Sequence, residues 1–122
     1  MTELASVMVE KHGDVQVARL AGEVDISNAT RLTGDIAAVV PNDAAGLVVD
    51  LSDVQYLDSA GIRMLFELHG RLSDRRQRLA AVVPDDSLIR GSLVVTEVSQ
   101  ALAVHPTLDE AIGAVHGEQP GD

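Results

Sequence analysis

The spacing of apolar residues changes period in the middle of the chain, and that change limits which folds remain open. Leu47-Val48-Val49-Asp50-Leu51 is a compact, β-branched run that reads as a buried strand. Ile62, Leu65, Phe66, His69 and Leu72 then recur at three- and four-residue steps, which is one face of an amphipathic helix. The hand-over falls at Asp58-Ser59-Ala60-Gly61. A serine at that junction has its hydroxyl beside the unpaired N–H groups of a helix start. It can act as a simple helix cap. Equally, a phosphate carried on it would meet a favourable dipole and free donors.

The rest of the chain repeats the alternation. Val7 to Leu20 holds two β-rich runs broken at His12-Gly13-Asp14, which predicts an antiparallel hairpin. Gly22-Glu23-Val24-Asp25 leads to Ser27-Asn28, either of which can cap a helix whose stripe is Ala29, Leu32, Ile36 and Val40. Pro41-Asn42-Asp43 ends it, and Gly46 precedes the Leu47–Leu51 strand. Arg71, Arg75, Arg76 and Arg78 follow the second helix and complement its negative end. Leu79-Ala80-Ala81-Val82-Val83 is the next strand. Asp85-Asp86-Ser87 can open a helix through Leu88, Ile89 and Leu93, although Gly91 weakens it. Ala101-Leu102-Ala103-Val104 reads as a short last strand, and Pro106-Thr107 opens a helix with Leu108, Ala111, Ile112 and Val115. The expected order is β-β-α-β-α-β-α-β-α: an α/β class, with a mixed sheet begun by a hairpin and covered by helices. Residues 1–116 form one domain and 117–122 a flexible polar tail.

Composition removes several function classes. With 46% hydrophobic residues but one Tyr, one Phe and no Trp, the core is aliphatic and lacks the stacking platforms of single-stranded nucleic acid binders. Nine basic against nineteen acidic residues give a net charge of −10, which repels nucleic acid and anionic membranes. A partner with a basic face would be steered in faster. Without Cys there are no disulfides or thiolate metal sites. No signal peptide or membrane-spanning run is evident, so a cytoplasmic, soluble protein is expected.

Catalytic patterns fare poorly. The nucleophile elbow Gly-x-Ser-x-Gly is half met, because Leu57 holds the first glycine position. Asp85 or Asp109 and His105 or His116 could complete a triad, but a hydrolase of that class needs a larger scaffold. His12, His69, His105 and His116 show no close metal-ligand spacing, and His69 on the apolar stripe reads as a boundary residue. A phosphate-cradling loop is missing and Lys11 is the only lysine, so Ser59 reads as an acceptor, not a catalyst. Asp25 and Asp50, each placed near a strand end, hint at an aspartyl-phosphate receiver. Lys11 lies too early to serve one, and helix capping explains Asp25 as well. No enzyme activity, metal or cofactor is expected.

Three stretches together resemble the STAS family, and within it the small bacterial anti-sigma factor antagonists. They are Leu20-Ala21-Gly22-Glu23-Val24-Asp25, the stretch from Val48-Val49-Asp50-Leu51-Ser52 to Tyr56-Leu57-Asp58-Ser59-Ala60-Gly61-Ile62, and Thr107-Leu108-Asp109-Glu110-Ala111-Ile112. The resemblance implies a switch protein. Its unphosphorylated form binds an anti-sigma factor that is also a serine kinase and so frees a sigma factor. Phosphorylation stops the binding, and a serine phosphatase reverses it. Ser59 is then the acceptor, with Asp25, Asp58, Ala60 and Gly61 around it. Ser27, Asn28, Ile62, Arg63 and Met64 would supply the partner surface of a monomer or weak dimer. Relatives carry Thr/Ser-Gly-(apolar) before the last strand, where this chain has Thr96-Glu97-Val98; Glu97 cannot take glycine's positive backbone angles. The alternative within the family is a STAS adaptor subunit of a transporter or lipid-transport complex, whose members often lack the serine.

Overall fold

The computed structural model describes residues 4–91 and 102–117. Strands β1 (Ala5–His12) and β2 (Val15–Val24) form the expected hairpin, with His12 paired to Val15 across the Gly13-Asp14 turn. Gly13 takes φ 64°, a conformation that needs no Cβ relief only in glycine. Helix α1 (Ala29–Ala38), strand β3 (Gly46–Leu57), helix α2 (Ser59–Asp74), strand β4 (Arg78–Val82), strand β5 (Ala103–His105) and helix α3 (Leu108–Val115) follow. The sheet order is β1-β2-β3-β4-β5; β1 is antiparallel to β2 and every other pair is parallel.

Both faces of the sheet are covered, which is why the central strands lack a clean polar alternation. On one face Leu47, Val49, Leu51, Leu79 and Ala81 pack with Leu32 and Ile36 of α1 and Leu65, Leu68 and Leu72 of α2. On the other, Val15, Val17, Val48, Ala80 and Val82 meet Ala111 and Val115 of α3. Burying one such aliphatic side chain stabilises by about 1.5–3 kcal/mol, so α2 is anchored along its length by buried leucines.

Some expectations shift. β3 runs well past Leu51 to Leu57, because β2 and β3 continue pairing beyond the last β3–β4 pair, Asp50 with Val82. Irregular register between Arg19 and Ala21, and again between Gly22 and Glu23, breaks the two-residue period along this extension. Asp50 therefore lies inside a strand rather than near its end; it accepts hydrogen bonds from the Ser52 N–H (2.9 Å) and hydroxyl (2.6 Å). The last strand falls on Ala103–His105, two residues later than its first expected position, and Thr107 caps α3 by accepting from the Glu110 N–H. From Pro84 to Ile89 the chain turns, with Ser87 N–H donating to the Pro84 carbonyl (3.0 Å), and helix begins only at Arg90. The expected helix runs on to Leu93, outside the described residues, as do Glu97, Ala101 and tail residues 118–122. Of the four arginines expected at the end of α2, only Arg71 lies in its last turn. Arg75 instead donates to the Val40 carbonyl (2.8 Å) and the Asn42 side chain (2.7 Å).

Candidate functional site

The carboxyl ends of β2 and β3 deliver two short segments side by side: Asp25–Asn28, which enters α1, and Asp58–Ile62, which enters α2. Asp58 is the cap of α2. Its Oδ1 accepts from the N–H groups of Ala60 (2.9 Å) and Gly61 (3.2 Å). Its own N–H donates to the Val24 carbonyl (3.3 Å), and its carbonyl accepts from Ile62 N–H (3.0 Å). Ser59 is thus the first helical residue, not the cap, and it is exposed. Its hydroxyl makes no hydrogen bond among the described residues. Aspartate caps as well as serine does, so the sequence held the signal for this arrangement in the residue before Ser59. One expectation changes as a result: the N–H groups of Ala60, Gly61 and Ile62 are already engaged by Asp58 and are not free for a phosphate.

Gly61 explains how tightly this turn is seated. A Cβ there would run into the Leu57 side chain and come within 3.2 Å of Val24 Cγ1. The first turn of α2 rests directly on the ends of β2 and β3, so the position of Ser59 is set by the sheet. Ala60 is half-buried beside it.

The neighbouring segment is held by its own polar contacts. Asp25 accepts from the Ser27 N–H (2.9 Å) and hydroxyl (2.6 Å). The Asn28 side chain accepts from Asp25 N–H (3.0 Å) and donates to the Glu23 carbonyl (2.9 Å). Asn28 is 5% exposed, so it fastens the loop and is not available as a partner contact; it also makes no side-chain capping bond to α1. Met64 is 1% exposed, because its helical phase places it with Leu65 and Leu68 in the core, and it reaches the surface only as part of the lining of the cleft between the two segments. Ser27 and Arg63 are exposed and Ile62 is half-buried. Between the segments lies a shallow cleft of about 80 Å³, with Ile26, Ala60, Arg63 and Glu67 on its walls. Ile26, 84% exposed, was missed by sequence reasoning, which saw only capping residues around it. The usable signal was a large apolar residue between two turn-forming ones.

Two of the candidate triad partners are engaged with other residues. His116 binds Asp14 (2.6 Å) at the start of β2, the opposite end of that strand from the Ser59 site, and Asp85 pairs with Arg90 (3.4 Å). Among the described residues no group of three His, Asp or Glu side chains could hold a metal ion, and no helix is long and apolar enough to cross a membrane.

A mixed sheet sandwiched by helices, begun by a hairpin and displaying a serine at a strand–helix junction, is the architecture of a STAS domain. The family model described as "Mlab, STAS domain" matches residues 7–103, and the chain belongs to the STAS-domain family. It is 29% identical over 112 residues to the anti-sigma-F factor antagonist RsfB of Mycobacterium tuberculosis, covering 92% of this chain and 90% of that one. The crystal structure of an anti-sigma factor antagonist from Mycobacterium paratuberculosis superposes with a TM-score of 0.76 at 32% identity, over 92% of this chain and 94% of that one. The unphosphorylated anti-sigma factor antagonist SpoIIAA shares the fold: TM-score 0.72, 19% identity, 93% of this chain and 99% of that one.

Proposed function

We propose that this protein is an anti-sigma factor antagonist controlled by phosphorylation of Ser59. In the unmodified state it docks on an anti-sigma factor that is also a serine kinase, and so frees a sigma factor. Phosphate on Ser59 ends the docking, and a serine phosphatase restores it. The observation that carries this reading is the Ser59 hydroxyl: exposed, without a partner among the described residues, and relieved of the capping role by Asp58. Similarity over nine-tenths of the chain to antagonists of anti-sigma factors supports the partner class.

A docking face fits the same place. Ile26 offers an exposed apolar anchor next to the exposed Ser27, and Arg63 stands on the rim of the cleft that Ile26 lines. Phosphoserine brings about −1.5 to −2 charges at neutral pH, next to the Asp58 carboxylate. One added like charge at ~5 Å costs roughly 1–3 kcal/mol at a partly wetted interface, and a dianion must also be desolvated. A thousandfold loss of affinity needs only about 4 kcal/mol. No refolding is required.

The test is incubation with a cognate kinase and ATP, with phosphate located by mass spectrometry, and pull-down of Ser59 variants. Ser59→Ala binds constitutively, while Ser59→Asp and Ser59→Glu bind at least tenfold more weakly. Equal affinities for the alanine and acidic variants, or phosphate appearing only on other residues, would overturn the reading.

A further inference from the structure

A phosphate on Ser59 would find the helix-start donors beyond its own N–H occupied. The N–H groups of Ala60 and Gly61 are held by Asp58 Oδ1, and that of Ile62 by the Asp58 carbonyl. Its three acceptor oxygens need another donor. Residues 20–30 and 52–67, which build the two segments and the first half of α2, contain Glu23, Asp25, Asp53, Asp58 and Glu67 but one basic residue, Arg63. Arg63 is exposed, and its guanidinium makes no ion pair or hydrogen bond among the described residues. The acid one turn further on, Glu67, is already taken by Arg71 (3.2 Å).

Ser59 and Arg63 are four residues apart on one helix. Their Cβ atoms therefore lie about 5–6 Å from each other on the same face, with the anion on the N-terminal side, the favourable orientation for such a pair. Guanidinium and phosphate match as a planar fork to two oxygens. Resting on the Ser59 reading, we infer that phosphoserine at position 59 captures Arg63 within α2. The modification then does two things at once. It adds negative charge to an acidic rim, and it withdraws the single cation from the cleft lined by Ile26, Ala60 and Glu67. A partner that reads Arg63 with a carboxylate loses that contact as the new charge arrives.

The test does not depend on a kinase. Phosphoserine is installed at position 59 during translation, and its second ionisation is followed by 31P NMR in the intact chain. The wild type titrates about 0.5 pH unit below Arg63→Gln, because the guanidinium favours the dianion. Arg63→Lys falls between them, and Arg76→Gln, beyond the other end of α2, matches the wild type. The same midpoint in wild type and Arg63→Gln, whatever its value, overturns the capture and leaves the helix start itself as the local stabiliser. Failure of a kinase to modify Ser59 would instead sink the switch and leave this titration measurable.

Discussion

Replacing Asp58 separates two roles that a single carboxylate performs at the start of α2. Asp58→Ala removes both hydrogen bonds to the Ala60 and Gly61 N–H groups and also the charge at the positive end of the helix. Loss of a cap to alanine costs about 1 kcal/mol, and loss of an anion beside the dipole adds about 0.5 kcal/mol, so the sum is roughly 1.5 kcal/mol. Asp58→Asn keeps an acceptor oxygen in place and loses only the charge, about 0.5 kcal/mol. In both variants the backbone bonds of residue 58 to Val24 and Ile62 remain, so the fold persists. For a domain of this size the drops correspond to roughly 6 °C and 2 °C in thermal midpoint. Thermal unfolding reads the totals, and amide exchange reads the site: protection at Ala60 and Gly61 falls in the alanine variant and survives in the asparagine one. Equal loss in both variants would show that charge alone matters and that the two hydrogen bonds contribute nothing. The asparagine variant also tests the electrostatics of the proposed switch. Docking removes water from around phosphoserine and Asp58 and so sharpens their repulsion; without that like charge the affinity lost on phosphorylation shrinks by up to about tenfold, since ~1.4 kcal/mol is a factor of ten.

Two glycines predict opposite signs. In Gly46→Ala the new methyl meets the Arg78 carbonyl oxygen and Val115 Cγ1 (2.8 Å), so about 3 kcal/mol is lost; in Gly70→Ala nothing lies within 4 Å and helix propensity adds up to about 1 kcal/mol. Urea midpoints decide, and destabilisation by both would show that α2 is not helical at Gly70. At the far end of the sheet, the hydrogen bond from His116, partly opposed by desolvation and aided by the His116 charge, holds the Asp14 carboxyl below its ordinary range. A depressed carboxylate contributes stability above its unfolded pKa and loses it as pH falls through the folded value. His116→Ala returns Asp14 to the ordinary range in an NMR titration; an unchanged midpoint would disprove the pairing in solution.

Period and punctuation carried much of the fold. Gly13 between two β-rich runs specified the hairpin, and Pro106-Thr107 marked the start of α3, because these signals are local. The far half of β3 was not legible. Beyond Leu51 its buried residues are Val54 and Leu57, a spacing of three that two irregularities in the β2–β3 register produce and that no strand template anticipates. At the site, sequence pattern located the hand-over but credited the wrong residue with the cap, since Asp58 and Ser59 have equal propensity and only the backbone path chooses between them. The depth of Met64 was not legible for a related reason. Its neighbour Arg63 is exposed, and a one-residue step on a helix turns the side chain by about 100°, enough to move from rim to core.

These placements bear on how the proposed switch can work. A phosphate can silence a docking face either by remodelling it or by changing its charge. Remodelling needs an element with two arrangements of similar energy. Here the first turn of α2 lacks that freedom: Gly61 is pressed against Leu57 and Val24, Asp58 is fixed through main chain and side chain, and Leu65, Leu68 and Leu72 hold the rest of the helix in the core. The cost of moving it, several buried leucines at about 1.5–3 kcal/mol each, exceeds what one surface phosphate can return. What can rearrange is on the outside, in the exposed side chains of Ser59 and Arg63. In the proposed switch, the rigidity below them would turn a rearrangement of two charges into a change of affinity, because strain could not be relieved by backing away from the partner.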